Sequence, residues 1–275
     1  MDIVLGSVIY SEALNYIDDF LDALKNQTVQ DFDILLVNDN IDPKVLEEKF
    51  MCYIDFFGSR LNIINKNNSI LEPYQLRIEL LKIVKECQYE LLILCDCDDK
   101  CAVNRVETLK NAYDPARCFF YNEIISFENE RIMPAMPNVT DTTAQIQEQN
   151  YLGLSNTAVV MSKISNEFIG SLYEGKTRIF DWYLFSRMIL EGGTGVKVED
   201  TVTYYRIYEN NLAGIPGNTF NELKKEVEIK IRHYEMLSKY NTIYEELLRK
   251  YKALDLSNYT VLKHKTSYWW GQLKG

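Results

Sequence analysis

The apolar positions of the first hundred residues fall into short continuous runs, separated by stretches with a helical repeat. Ile3 to Ile9 is an apolar run of strand length. Ala13, Ile17, Phe20 and Leu24 then recur at three- to four-residue intervals, with Leu14 and Leu21 beside them, which predicts an amphipathic helix. Phe32 to Val37 predicts a buried strand ending in Asn38-Asp39-Asn40. Pro43 is placed to open a helix through about Phe50. Leu61 to Ile64 predicts a short strand, and Leu76, Leu80, Ile83 and Val84 mark one face of a helix over 76–85. Leu91 to Cys95 is a further buried strand that runs directly into Asp96-Cys97-Asp98-Asp99.

Nearly unbroken apolar strands between amphipathic helices predict a mostly parallel α/β sheet covered on both faces. In such sheets ligands bind beyond the carboxyl ends of the strands. Three predicted strand ends carry polar groups: Tyr10-Ser11-Glu12, Asn38-Asp39 and the acidic cluster at 96–99. The second half is less regular. Strands are expected at 118–121, 157–161 and 201–206, a loop over 129–150, and a helix from Asp181 to Leu190 stopped by Gly192-Gly193. Helices over 220–239 and 244–251 follow Gly214-Ile215-Pro216-Gly217, which marks a boundary.

Composition narrows the function. The chain has 275 residues, enough for one large α/β domain or a domain with an appendage. A net charge of −10 argues against a nucleic-acid partner, which needs a basic surface. It leaves a phosphorylated substrate open, because a divalent cation can bridge carboxylates and a diphosphate. The amino-terminal run lacks a basic flank and is too short for a signal peptide, and no apolar stretch reaches membrane-spanning length. The six cysteines are therefore expected as reduced cytosolic thiols. Cys95, Cys97 and Cys101 do not have zinc-ligand spacing.

The acidic cluster carries the strongest chemical signal. Three carboxylates within four residues repel one another unless a cation or hydrogen-bond donors intervene. Hard oxygen ligands suit Mg2+ or Mn2+, and a bound cation can neutralise a phosphate leaving group. An EF-hand is excluded, since the required Gly and Glu do not follow Asp96. Gly192-Gly193-Thr194-Gly195 is not a phosphate loop, because it follows a helix and lacks the Lys-Ser/Thr ending.

The run from Tyr16 to Asp39 contains a helix ending in Gln27-Thr28, then Asp31-Phe32-Asp33 and an apolar strand closing on Asn38-Asp39. With Cys95-Asp96-Cys97-Asp98-Asp99, it resembles the family-2 glycosyltransferases of the GT-A fold. The resemblance covers about residues 1–210 and is dense to about 107. It implies a Rossmann-like GT-A domain over 1–214, with a nucleotide-binding half at about 1–107 and an acceptor half at 108–214. A C-terminal helical extension over 215–275 would follow. It also implies an inverting transfer of a sugar from a nucleotide-diphospho-sugar to a hydroxyl of a glycan or lipid-linked glycan, as in surface polysaccharide synthesis.

Carried over by position, Tyr10, Ser11, Asp39, Arg77 and Asp96 would bind the nucleotide, and Asp98 with Asp99 would hold Mn2+ or Mg2+. Asp181 would be the general base, taking a proton from the acceptor hydroxyl. Three positions depart from the family pattern: Asn38 for a first Asp, Phe180 for a Glu, and Tyr208 for the His of Tyr-Arg-x-His. Arg206 is still expected to neutralise phosphate. A C-terminal loop carrying His264 and Lys265 can be read in three ways: as a diphosphate contact, as an aromatic anchor through Trp269 and Trp270, or as a peripheral contact with the inner membrane face. His233 is read as solvated or packed within a helix. Tyr121, Tyr151, Tyr173 and Trp182 are read as sugar-stacking rings or as core. Two other functions compete. A sugar nucleotidyltransferase needs a basic glycine-rich loop after the first strand, which Tyr10-Ser11-Glu12 does not supply. A non-catalytic nucleotide-sugar-binding protein would account for the three departures.

Overall fold

The computed structural model describes residues 1–65, 71–207, 219–256, 263–264, 268–271 and 273–274. The chain runs β1 (Ile3–Ile9), α1 (Ile17–Lys25), β2 (Asp33–Asn38), α2 (Pro43–Phe57), β3 (Leu61–Asn65), α3 (Pro73–Glu86), β4 (Leu91–Leu94), β5 (Lys100–Cys101) and α4 (Arg105–Ala112). It continues through β6 (Phe119–Ser126), β7 (Val139–Thr140), β8 (Thr157–Val160), α5 (Asn166–Ser171), α6 (Phe180–Leu190) and β9 (Gly195–Tyr205). The last elements are α7 (Phe220–Leu237), α8 (Thr242–Lys252), β10 (Lys263–His264) and β11 (Leu273–Lys274).

One sheet has the order β3-β2-β1-β4-β8-β6-β9-β5, with β7 added to β9, and β10 and β11 form a separate ribbon. The first four strands are parallel; β8 reverses direction between β4 and β6, and β6 and β9 are parallel. The fold is of the GT-A type: a mixed sheet with a parallel amino-terminal half, flanked by helices. Alternation along each strand divides the core between the two faces. Ile3, Leu5, Ile34, Leu36, Leu91 and Ile93 face α1, α2 and α4. Val4, Leu35, Val37, Leu92 and Leu94 face a second core built with α3, α6, α7 and α8. The carboxyl ends of β1, β2 and β4 share one edge.

Several boundaries differ from the pattern, each for a local reason. The helix α2 runs to Phe57 rather than Phe50, because Tyr53 and Phe57 continue the buried face of Leu46 and Phe50. The helix α3 starts at Pro73, where Glu72 and Gln75 form a reciprocal capping box and proline fills the first position. The strand β9 begins at Gly195, where any side chain would meet the Phe119 ring on β6. The boundary sequence at 214–217 and Tyr208 lie outside the described residues.

The helix α6 is buried on nearly every side between the sheet and α7, and most of its residues are apolar. Trp182 stacks on His233 of α7 with ring centroids 4.0 Å apart. Tyr121, Tyr151 and Trp182 are fully buried, so these rings are core and present no face to a sugar. Tyr173 is half-buried and its hydroxyl donates to Glu79. The tail is held the same way: Tyr268, Trp270 and Leu273 join the core, and the indole of Trp270 is parallel to that of Trp182. Lys230 of α7 is fully buried and donates to the carbonyls of Trp270 and Gly271 at 2.8 and 2.7 Å. No described helix is long and apolar enough to cross a membrane.

Candidate active site

The sharp turn after β2 is built by Asn38. Its side-chain amide donates to the carbonyl of Ile41 and to Asn65, and its oxygen accepts from the amide of Ile41. A carboxylate there could accept but not donate. The turn leaves Asn40 at φ 58° and presents half-buried Asp39 beyond the sheet edge.

The acidic cluster follows β4 and is fixed from three directions. Ser155, just before β8, accepts from the amide of Asp96 at 2.9 Å and donates to the carboxylate of Asp99. Tyr10, just after β1, donates to Asp98 at 3.0 Å. Arg206, just after β9, donates its amide to Asp99 at 2.8 Å and its Nε to the carbonyl of Asp98 at 2.8 Å. Its guanidinium also pairs with Asp19 and lies between the rings of Tyr16 and Phe127. Arg206 is thus a brace for the cluster. Gln27 and Thr28 brace the other side: Gln27 bonds the carbonyl of Ala102 and the amide of Val106, and Thr28 bonds the carbonyl of Val103 and Glu107. The Gln-Thr signature therefore pins the turn that follows the acidic residues. Beneath it, Arg105 is fully buried and donates to Leu94, Asn122 and Thr157, tying β4, β6 and β8 together.

The carboxylates differ in setting. Asp98 and Asp99 are 9% and 2% exposed, whereas a third of the Asp96 side chain is open. Burial pushes Asp99 well up, and its acidic neighbours add to this against the donors from Ser155 and Arg206. Burial also raises Asp96, opposed by the Arg77 guanidinium 3.5 Å away. Asp181, in the first turn of α6, accepts from Asn150 at 3.0 Å. Burial raises it to about 6, against the amide of Trp182 and the charge of Arg77. Arg77 thus pairs directly with Asp96, and its charge also opposes the rise of Asp181. Among the described residues no three His, Cys, Asp or Glu side chains enclose a cation. Such a donor set fits a Mg2+-like ion held by one or two carboxylates and completed by phosphate and water.

A cavity of about 770 Å³ opens at this edge. Tyr10, Asp39, Arg77 and Asp96, four of the residues expected at a nucleotide, line it. Ser11 does not; it donates to Glu12, which does. Glu72, Lys176, Thr177, Arg178 and Arg232 also line it and were not singled out by the sequence. Ser155 and Asn150 were missed as well, because their roles depend on strands that pair across the sheet. Backbone strand β10 contains His264, whose side chain is outside the described residues, as is Lys265. Cys95, Cys97 and Cys101 are buried free thiols.

No family model matches the sequence, and no curated protein matches it. Solved structures do share its fold. Residues 1–349 of S. aureus TarS superpose with a TM-score of 0.61 at 15% identity, covering 92% of this chain and 71% of that one. The same protein is also solved with UDP-GlcNAc. The mannosyltransferase PcManGT of Pyrobaculum calidifontis, solved with GDP-Man and Mn2+, gives 0.54 at 10% identity, covering 91% and 73%. GalNAc-T7, solved with UDP, GalNAc and Mn2+, gives 0.53 at 14%, covering 91% and 55%.

Proposed function

We propose that the protein is an inverting, hexosyltransferase-like glycosyltransferase that uses a nucleotide-diphospho-sugar. The observation that carries this reading is the Arg77–Asp96 ion pair in a cavity at the carboxyl ends of β1, β2 and β4 that Tyr10 and Asp39 also line. The shared fold with structures solved with UDP-GlcNAc and GDP-Man supports it.

In this reading Asp39 accepts hydrogen bonds from the base or ribose, and Tyr10 and Arg77 border the nucleotide. Asp98, with Asp99 behind it, holds Mn2+ or Mg2+, which when bound neutralises charge on the departing diphosphate. Asp181 removes the proton of the acceptor hydroxyl as that oxygen attacks the anomeric carbon. A carboxyl near 6 is mostly ionised at neutral pH yet basic enough to accept a proton. Asn150 donates to one oxygen of Asp181, which orients the other. Arg206 braces the cluster, and any diphosphate contact falls to other cations. The acceptor is a glycan or lipid-linked glycan of the surface-polysaccharide kind. The halves 1–107 and 108–214, and the extension 215–275, are our functional division, and the site lies on the cytoplasmic side.

Two measurements test this. Nucleoside diphosphates should raise the Tm more with Mn2+ than with EDTA, and Asp98→Ala should abolish the difference. Donor sugars should be hydrolysed or transferred by the wild type and not by Asp181→Asn. Metal-linked nucleotide binding without turnover of any donor would favour the non-catalytic reading, and pyrophosphate release from a nucleoside triphosphate and sugar phosphate would favour the nucleotidyltransferase.

A further inference from the structure

The chain carries ten more acidic than basic side chains, and many of its cations are visibly neutralised. Lys49, Lys110, Lys239 and Lys250 pair with Asp18, Asp31, Glu174 and Glu148. Three cations are different. Lys176 and Arg178, before α6, and Arg232, on α7, are exposed and line the same cavity. Among the described residues their side chains have no ion pair or hydrogen bond.

Their placement is enforced by the packing behind them. Gly175 lies against the ring of Tyr183, where no side chain fits. Buried Thr177 accepts from the amide of Ile179 and anchors the segment to the start of α6. With Thr177 turned inward, its two neighbours are left outside. Arg232 is adjacent to His233, whose stacking on Trp182 fixes the rotation of α7. Three cations from two elements, without an ion pair among the described residues, are held at one cavity whose other charged lining is Glu12, Asp39, Glu72 and the Arg77–Asp96 pair.

We propose that Lys176, Arg178 and Arg232 form an anion site for the phosphate groups of a substrate bound in this cavity. The proposal deepens the glycosyltransferase reading, and it names phosphate as the chemistry recognised in the cavity that Asp96 also lines. Two sources share that chemistry: the diphosphate of the donor and a phosphate carried by the acceptor. Either one brings the negative charge that these side chains lack.

The test uses the full chain and inorganic pyrophosphate, in EDTA and low salt, followed by calorimetry. The triple variant K176A/R178A/R232A should bind pyrophosphate at least about 100-fold more weakly, since each charged hydrogen bond lost is worth about tenfold. The triple variant K176R/R178K/R232K should retain most of the affinity, and all variants should keep the wild-type Tm because the three residues are exposed. Binding to the wild type should weaken with added salt. Competition between pyrophosphate and UDP or GDP assigns the site to the donor, and simultaneous binding assigns it to a phosphate-bearing acceptor. Wild-type protein that binds no pyrophosphate, or equal binding by the alanine variant, overturns the proposal. Metal-dependent nucleotide binding would survive that result, whereas pyrophosphate binding without any nucleotide binding would leave the anion site standing and sink the glycosyltransferase reading.

Discussion

His233 sets a cost on acid that can be calculated from its surroundings. Its ring is fully buried, lies 4.0 Å from that of Trp182, and neither nitrogen has a hydrogen-bond partner among the described residues. Burial, with Lys230 nearby, pushes the imidazole from 6.5 down to about 3. The unfolded chain therefore binds a proton between those values that the folded chain refuses, so stability is present above 6.5 and is lost as pH falls. The full window is worth about 5 kcal/mol, and by pH 4.5 the loss is about 2.7 kcal/mol. Asp181, raised to about 6, works in the opposite direction between 3.8 and 6, so the total slope mixes the two. The His233→Phe variant keeps the stack and removes the proton site. Urea unfolding of both proteins at pH 7.5, 6 and 4.5 isolates the histidine. The wild type should lose about 2.7 kcal/mol relative to the variant across that range. Parallel curves would refute the dry, neutral placement of His233 against α6.

Three further outcomes are expected. Arg105→Ala leaves two carbonyls and Asn122 without their donor in the core, and should cost about 3–5 kcal/mol in urea unfolding. The rate of transfer should fall about tenfold per pH unit below about 6 as Asp181 gains its proton, and Asp181→Asn should lower it by about 10²–10⁴ while leaving nucleotide binding intact. Burial lowers Lys230 to about 8, so the folded chain sheds this proton before the unfolded chain does. Stability should then rise by up to about 3 kcal/mol between pH 8 and 10.5, and Lys230→Met should abolish that rise and expose the amides of 268–271 to hydrogen exchange.

The parts of the site legible in the sequence are those whose meaning is local. Asp39 and Asp96 each end an apolar strand, which brings them toward one edge, whereas Arg77, on a helix, was indicated only by the family resemblance. Asp181 was indicated by the same resemblance, at the start of a helix that the apolar pattern predicts. Ser155 and Asn150 carry no such mark. Each is a polar residue in an irregular stretch, and its value depends on β8 running antiparallel to β4 and on the tail reaching α6. The aromatic rings show the converse limit: Tyr121, Tyr151 and Trp182 are compatible with stacking on sugars or with core, and only the layers above them decide for core. Lys176, Arg178 and Arg232 look like ordinary surface charges until the cavity between their elements is seen.

The amide of Asn150 donates to the carbonyl of Trp269 at 2.6 Å, and the same residue's side chain holds Asp181. Roughly 120 residues of synthesis separate those two partners, which at about 5–20 residues per second is a delay of roughly 6–24 s on the ribosome. Strands β1, β2 and β4, with Asp39 and the acidic cluster, are complete long before then. The edge that carries Asp39 and the acidic cluster is thus synthesised early, Lys176, Arg178 and Arg232 of the cavity follow, and the Asn150 that holds Asp181 gains its backbone anchor only when the tail arrives. Premature termination before Trp269 would release a chain in which Asn150, and with it Asp181, lacks this backbone anchor.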